Sequence, residues 1–295
     1  MKILLLGGTG QLGRESLLRA GPGLRIVAPT RRDLDLAQPE TIAAYVAGQD
    51  VDVIVNAAAY TAVDKAESEP DLAFVLNAEV PGRLAAAAAA KGVPLVHVST
   101  DYVFDGTKGA PYLPSDPVAP LGVYGASKEA GERAVRAAGG RAVVLRTAWV
   151  YGPFGGNFMK TMLRLARERD VLCVVDDQRG TPTASADLAA ACLTIAARLV
   201  RDPEDHGGTF HFTNAGETTW CGFARAIVEI AGPRLAKTPE VVAIATADYP
   251  TPAERPADSR LDCAATLARY QMAQPDWRAA LAATLDRLPE EVFRS

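Results

Sequence analysis

The 295-residue chain is poor in metal-binding and redox side chains: it holds four cysteines, Cys173, Cys192, Cys221 and Cys263, and three histidines, His97, His206 and His211. No zinc-ligand spacing occurs among these seven residues, which argues against a zinc site. The cysteines lie far apart, two of them in the apolar settings VLCVV and AACLT, and read as buried reduced thiols rather than a disulfide framework. No stretch approaches the roughly 18 uninterrupted apolar residues of a membrane helix. The opening run MKILLLGG is too short for the core and cleavage region of a signal peptide, so the expectation is a cytoplasmic protein with no membrane contact. A block of lysines and arginines is also missing. With 31 basic and 35 acidic residues the net charge is −4, which argues against a nucleic-acid partner and for a small one.

What is present is alternation. Short β-rich runs (KILLL, LRIVA, VDVIVNA, LVHVS, AVVLR) take turns with alanine-rich helical stretches, the pattern of a parallel sheet covered on both faces. The alanines from Ala85 to Ala90 lie between Pro81 and Gly92 and read as a helix packed closely on that sheet. Beyond about Tyr151 glycine and proline clusters separate the helices. The expected architecture is α/β: a Rossmann-like doubly wound parallel sheet over residues 1–150, with a smaller substrate-binding lobe over 151–295 that returns some segments to the first domain.

Gly7-Gly8-Thr9-Gly10-Gln11-Leu12-Gly13 follows the first strand and opens a helix. Glycines at 7, 10 and 13 let a backbone approach a pyrophosphate, and helix-start amides favour its charge. A tight turn from strand to helix wants glycine for its own reasons, but at residue 7 of an alternating chain the pattern points to dinucleotide binding. The second strand ends in Pro29-Thr30-Arg31-Arg32, with Asp33 and Asp35 after it. Arg31 or Arg32 can pair with a 2′-phosphate, which favours NADPH with NADH tolerated. The alternative is that both arginines are solvated loop residues, Asp33 standing where a ribose-binding acid would be. The small residues Asn56-Ala57-Ala58-Ala59 permit either contact with the cofactor or close helix packing.

The fourth strand ends in His97-Val98-Ser99-Thr100-Asp101-Tyr102, polar groups that are costly to bury unpaired. Tyr124 and Lys128 are four residues apart and share a face if helical. An ammonium and a nicotinamide ring both favour phenolate, making tyrosine a general acid for a developing alkoxide. Bringing its pKa from about 10 to about 7 takes ~4 kcal/mol. Thr100, at the carboxyl edge of the sheet where such folds bind ligands, can bond the same oxygen.

With these residues assembled, the chain resembles the extended short-chain dehydrogenase/reductases, and among them the dTDP-4-dehydrorhamnose reductases. The similar stretches include VDVIVNAAAYTAVDKAESEP, HVSTDYVFDG, VYGASKEAGE, LRTAWVYG, NFMKTMLRLARER, DDQRGTPT, TTW and YPTPAERPADSRLD. The resemblance implies reduction of a dTDP-4-keto-6-deoxy sugar to dTDP-L-rhamnose. It makes Tyr124 the proton donor, Lys128 its pKa modulator and a ribose ligand, and Thr100 a carbonyl partner. Asp101 and Trp149 would hold the sugar. Gly10, Gln11, Leu12, Asp35, Leu36, Ala59, Tyr60 and Thr61 would line the cofactor, and Arg255 and Arg260 would meet the nucleotide. Some members form a homodimer holding Mg2+ through three glutamates; Glu15 matches one, Asp187 stands for a second, and Glu290 or Glu291 for the third, with solvated surface acids as the alternative. A sugar-nucleotide dehydratase or epimerase is the nearest rival. The resembling dehydratases carry Thr-Asp-Glu, and Tyr102 replaces that last acid here. A non-catalytic subunit that keeps the cofactor site is the second rival.

Overall fold

Leu4, Leu5, Ile54, Val55, Val96 and Val144 are all buried to within 1%, and strands buried on both faces demand helices on both faces. The computed structural model, which describes residues 1–294, meets that demand. In chain order the first half forms β1 (Lys2–Leu6), α1 (Gln11–Leu17), β2 (Arg25–Val27), α2 (Ile42–Ala47), β3 (Val53–Asn56), α3 (Val63–Ala66), α4 (Pro70–Phe74), α5 (Val80–Lys91), β4 (Leu95–Thr100), α6 (Val123–Ala137) and β5 (Ala142–Thr147). The second half forms β6 (Val150–Tyr151), α7 (Phe158–Glu168), β7 (Val171–Val175), β8 (Arg179–Gly180), β9 (Thr183–Ala184), α8 (Ser185–Arg201), β10 (Gly207–His211), β11 (Thr218–Thr219), α9 (Trp220–Ala231), β12 (Glu240–Ile244), α10 (Ala264–Tyr270) and α11 (Trp277–Asp286).

Six strands build one sheet in the order β10-β5-β4-β3-β1-β2, every pair parallel. Helices α1 and α8 cover one face and α2, α5 and α6 the other. The chain leaves β1 toward β2 on one side and returns as β3 on the other, so the order reverses between β1 and β3, and a crevice opens there at the carboxyl ends of the strands. Helix α8 and edge strand β10 come from the second half of the sequence and complete the first sheet. The remaining second-half elements enclose their own core around Tyr151, Met159, Leu163, Phe223, Ile227 and Leu281.

Gly92 closes α5 in the left-handed conformation at φ 74°, a common helix end. Helix α4 runs into α5 through a π-helical turn, Val75–Glu79. The resulting Pro70–Lys91 rod is the one helix among the described residues long and apolar enough to cross a membrane. Polar residues interrupt it, and α5 packs against α2 and α6. The cysteines are not all buried, although that was expected of them. Cys192, Cys221 and Cys263 are buried, but Cys173 is exposed. The run VLCVV is apolar throughout, yet β7 pairs only with β12 and its residues alternate, Leu172 and Val174 inward and Cys173 outward.

One carboxylate ties three of these elements together. Glu132 of α6 is fully buried; its Oε1 accepts from Ser99 Oγ of β4 at 2.7 Å and from Arg146 Nε of β5 at 2.8 Å, and its Oε2 from Arg146 Nη2 at 2.7 Å. Arg146 donors and the Ser99 hydroxyl hold the Glu132 carboxyl below its usual range although burial works the other way. Removing one member of a buried pair strands the other. Glu132→Ala is therefore expected to lower stability by about 3–5 kcal/mol in urea unfolding. Because the native carboxyl titrates below the unfolded value of 4.5, the native chain's advantage over the variant is full above that pH and is lost as pH falls through the native pKa.

Candidate active site

The glycine turn lies in the crevice between β1 and β3. Gly7 has φ 80°, and a Cβ there would fall 2.7 Å from the Ala58 amide nitrogen; a Cβ on Gly13 would fall 2.1 Å from the Gly7 carbonyl oxygen. Both glycines are required by backbone packing. Gly10 is different: its Cβ would meet only the Gly7 carbonyl, at 3.4 Å, so the protein's own packing leaves room in front of it. The Gln11 side chain is occupied, since its Oε1 accepts from Asn157 Nδ2 at 2.9 Å, which leaves the main chain of the turn for a ligand. Beyond β2, Arg31, Arg32, Asp33, Leu34, Asp35 and Tyr45 line a hollow of about 570 Å³. The Asp33 carboxylate is engaged within its own turn, accepting from the Thr30 amide and hydroxyl at 2.9 and 2.8 Å. Arg31 is 81% exposed and pairs with Asp35 at 3.3 Å. Leu36 is half-buried beside this hollow.

The loop after β3 is fixed by a residue that the sequence reading missed. Asn77, buried in the π-turn, accepts from the Tyr60 amide at 2.8 Å and donates to the Tyr60 carbonyl and to Ser127 Oγ of α6, both at 3.0 Å. It locks Ala59-Tyr60-Thr61 to the helix carrying Tyr124 and Lys128. The only signal in the sequence was an asparagine within a helical run.

Thr100 ends β4, and Asp101–Val103 form a 3-10 turn capped by it. Tyr124 and Lys128 project from the first turns of α6, whose start presses so close to that turn that a Cβ on Gly125 would lie 2.2 Å from the Tyr102 carbonyl oxygen. Tyr124 meets Tyr102 edge-on, with ring centroids 5.5 Å apart. Lys128 is 2% exposed and donates to the Val98 carbonyl at 2.7 Å. Thr100, Tyr124 and Lys128 thus come from adjoining elements, β4 and the first turns of α6, and their electrostatics run against what the Tyr–Lys spacing suggested. Burial pushes the phenol up to about 12, the Thr100 contact opposing it and the Asp101 charge adding to it. Burial also brings Lys128 down to about 8, with Glu132 opposing. In the chain by itself desolvation sets the phenol's direction.

Two further groups complete the floor. Asn56 Oδ1 accepts from the Ala58 amide at 3.2 Å, so its Nδ2 faces His97 Nδ1 at 3.1 Å. That places the ring proton on Nε2. Burial, and then Lys128, hold His97 well below its usual range, so Lys128 stands above a neutral imidazole. The Thr100 hydroxyl donates to Asp101 Oδ1 at 3.0 Å and accepts from the Tyr102 amide at 3.2 Å. Its single proton is therefore directed at Asp101, whereas the sequence reading directed it at the substrate oxygen.

A cavity of about 480 Å³ adjoins Tyr102, lined among others by Phe158, Arg169, Gln178, Trp220, Tyr249 and Arg255. Arg255 donates to Asp64 of α3 at 2.8 Å, joining the two halves of the molecule at its rim. Trp149 does not line this cavity. Held at φ 47°, it stacks on Trp220 with centroids 3.6 Å apart and planes at 10°, and backs the cavity through that ring. Arg260 lies elsewhere, in a separate hollow, paired with Asp258 and Glu217. The acids weighed for Mg2+ are also engaged: Glu15 with Arg19 and Arg287, Asp187 with Asn214, and Glu290 with Arg234. No group of three His, Cys, Asp or Glu positioned for a metal occurs among the described residues.

Comparison with known proteins finds relatives that match nearly the whole chain. The model of the RmlD substrate binding domain matches residues 1–289. A dTDP-4-dehydrorhamnose reductase of Burkholderia thailandensis is 47% identical over 95% of this chain and 97% of its own. The crystal structure of a dTDP-4-dehydrorhamnose reductase from Clostridium acetobutylicum superposes with a TM-score of 0.89 at 38% identity, covering 97% of this chain and 99% of that one. The enzyme of the same name from Bacillus anthracis, solved in complex with NADP, gives 0.89 at 33% identity over 97% and 98%.

The contact at Gly125 gives a test of the convergence. Gly125→Ala must separate α6 from the Tyr102 turn and so move Tyr124 away from Thr100. A displacement of about 1 Å is expected to lower kcat by roughly a hundredfold while leaving NADPH affinity, measured by fluorescence titration, within a few-fold.

Proposed function

This chain belongs to the RmlD substrate binding domain family, and from that premise we propose that it performs the reaction for which its relatives are named: NAD(P)H-dependent reduction of the 4-keto group of dTDP-4-dehydrorhamnose to dTDP-L-rhamnose. The observation that carries this reading is the meeting of Thr100, Tyr124 and Lys128 at the carboxyl end of the sheet, between a glycine turn with an open face and an aromatic cavity. Bound NADPH supplies a hydride to the carbonyl carbon.

The chain's own residues do the rest. The backbone of Gly7, Gly10, Gln11, Leu12 and Gly13 lines the pyrophosphate, with Asp35, Leu36, Ala59, Tyr60 and Thr61 along the nucleoside. Arg31 is free to swing from Asp35 to a 2′-phosphate, which makes NADPH the preferred cofactor and NADH a tolerated one. Tyr124 gives its proton to the carbonyl oxygen as the alkoxide develops. Lys128 would hold the cofactor ribose, and its ammonium would help to stabilise the phenolate left behind. The dTDP part extends into the cavity walled by Trp220, Phe158 and Arg255, where ring stacking and one guanidinium suit a base and a phosphate. We assign residues 1–150 to cofactor binding and most of 151–295 to substrate binding.

The deciding experiment incubates the protein with NADPH and a panel of 4-keto sugar nucleotides and follows the nicotinamide absorbance. Oxidation is expected with dTDP-4-dehydrorhamnose. Cofactor binding without any reduction would instead favour a non-catalytic subunit. Tyr124→Phe is expected to lower turnover by about 10²–10⁴-fold with NADPH affinity nearly unchanged, and activity within a few-fold of the parent would remove the assignment. Replacing Arg31 and Arg32 together with alanine should weaken NADPH by roughly tenfold or more and NADH hardly at all. Equal losses would make the arginines loop surface.

A further inference from the structure

One wall of the cavity beside Tyr102 is a strap without regular structure. Residues 250–256 follow the short 3-10 turn Thr246–Asp248, and both ends of the stretch are anchored. Thr246 is bound by the Asp177 carboxylate and by Gln178 Nε2, the latter at 3.0 Å. At the other end Pro256 and Ala257 press so close to Gly106 that a Cβ there would fall 2.7 Å from the Ala257 amide nitrogen. Between these anchors, among the described residues, the only hydrogen bonds that 250–256 make outside their own segment go to one side chain, Asp64 of α3. Asp64 Oδ1 accepts from the Ala253 amide at 3.2 Å and Oδ2 from Arg255 Nη2 at 2.8 Å. Asp64, Tyr249, Thr251 and Arg255 all line the cavity.

These bonds fix the direction of a guanidinium. Arg255 Nη1 donates to Thr251 Oγ1 at 2.5 Å and to the Ala253 carbonyl at 2.8 Å. With the Asp64 bond, three of the five N–H groups of the guanidinium are used, and two remain for a ligand. The side chains of Arg255 and Asp64 are 21% and 44% exposed, and an ion pair open to solvent adds little stability. What two bonds from one carboxylate add is geometry: without them Arg255 is tied only to its own segment.

We propose that Asp64 is a positioning residue of the substrate cavity: it clasps residues 250–256 to α3 and holds Arg255 with its free N–H groups toward the diphosphate of the sugar nucleotide. The inference rests on the reading that the nucleotide part of the substrate occupies this cavity. Asp64 acts on the substrate only through Arg255, whose planar fork suits phosphate oxygens once its direction is set. Because α3 begins two residues after Thr61, the clasp also ties a wall of the substrate cavity to the loop that lines the cofactor.

The test is calorimetric titration of the full chain with dTDP and, separately, with NADPH. Asp64→Ala is expected to weaken dTDP by about tenfold and NADPH by less than about twofold. In an Arg255→Ala background the same substitution is expected to add less than about twofold to the loss of dTDP, since the guanidinium through which it acts is gone. Asp64→Glu keeps the charge and has room at a site open to solvent, so it is expected to bind dTDP within about threefold of the native protein. Asp64→Asn keeps the shape without the charge and is expected to bind dTDP more weakly than Asp64→Glu; it takes the place of the alanine variant in the cycle if that variant loses the native near-UV circular dichroism. Native dTDP affinity without the carboxylate, additive losses in the double variant, an equal loss of NADPH, or a glutamate variant as weak as the alanine or asparagine one would each overturn the clasp. Failure of the native protein to bind dTDP would instead remove the underlying reading of the cavity, whatever Asp64 does.

Discussion

The site depends on the bonds that a single buried carboxylate makes. Glu132 lies two turns beyond Tyr124 and one beyond Lys128 on the same face of α6, and it accepts from Ser99 on β4 and Arg146 on β5. Ser99 is the neighbour of Thr100, so this carboxylate fixes the height of α6 against the strand end where Thr100 emerges. Ion pairs in dry surroundings add little net stability, because desolvation offsets attraction. Their geometry is nevertheless demanding, and here it is passed to three side chains that must meet within hydrogen-bond reach. Two glycines make the approach close enough. A Cβ on Gly125 would touch the Tyr102 carbonyl, and one on Gly131 would lie 2.0 Å from the Asn77 carbonyl oxygen.

That closeness has an electrostatic consequence. Lys128, His97, Glu132 and Arg146 occupy a region with almost no water, and each must either be paired or lose its charge. Glu132 and Arg146 are paired. His97 stays neutral, its Nδ1 satisfied by Asn56. Lys128 keeps one strong acceptor, the Val98 carbonyl, and burial brings it down to about 8. A lysine so placed gains most from whatever further acceptor a bound ribose brings.

Much of this was legible in the sequence, and the unread parts share a physical reason. Strand and helix alternation, the glycine turn and the Tyr124–Lys128 spacing are local patterns, and local geometry follows from them. Ser99, Glu132 and Arg146 become a unit only through the pairing of β4 with β5 and the packing of α6, contacts 14 to 33 residues apart in sequence. The π-turn that buries Asn77 has no pattern of its own. Cys173 was misread because an apolar run does not reveal whether a strand is covered on one face or two. Arg260 was expected beside the nucleotide on the strength of a motif, but Asp258 and Glu217 hold it in another hollow.

The high pKa of Tyr124 was the opposite of what the Tyr–Lys spacing suggested, and the direction of the reaction explains why it does no harm. A tyrosine that must remove a proton from an alcohol needs a low pKa, so that it starts as phenolate. One that must protonate a carbonyl oxygen during reduction needs to arrive with its proton in place, and at about 12 it does so across the whole neutral range. The alkoxide it meets is far more basic than any phenolate, so the transfer remains downhill. Burial thus commits the residue to the donor role, and a bound oxidised nicotinamide would supply positive charge that favours the phenolate. What the folded chain itself supplies is position: the close seating of α6 on the Tyr102 turn holds Tyr124 and Lys128 beside the end of β4.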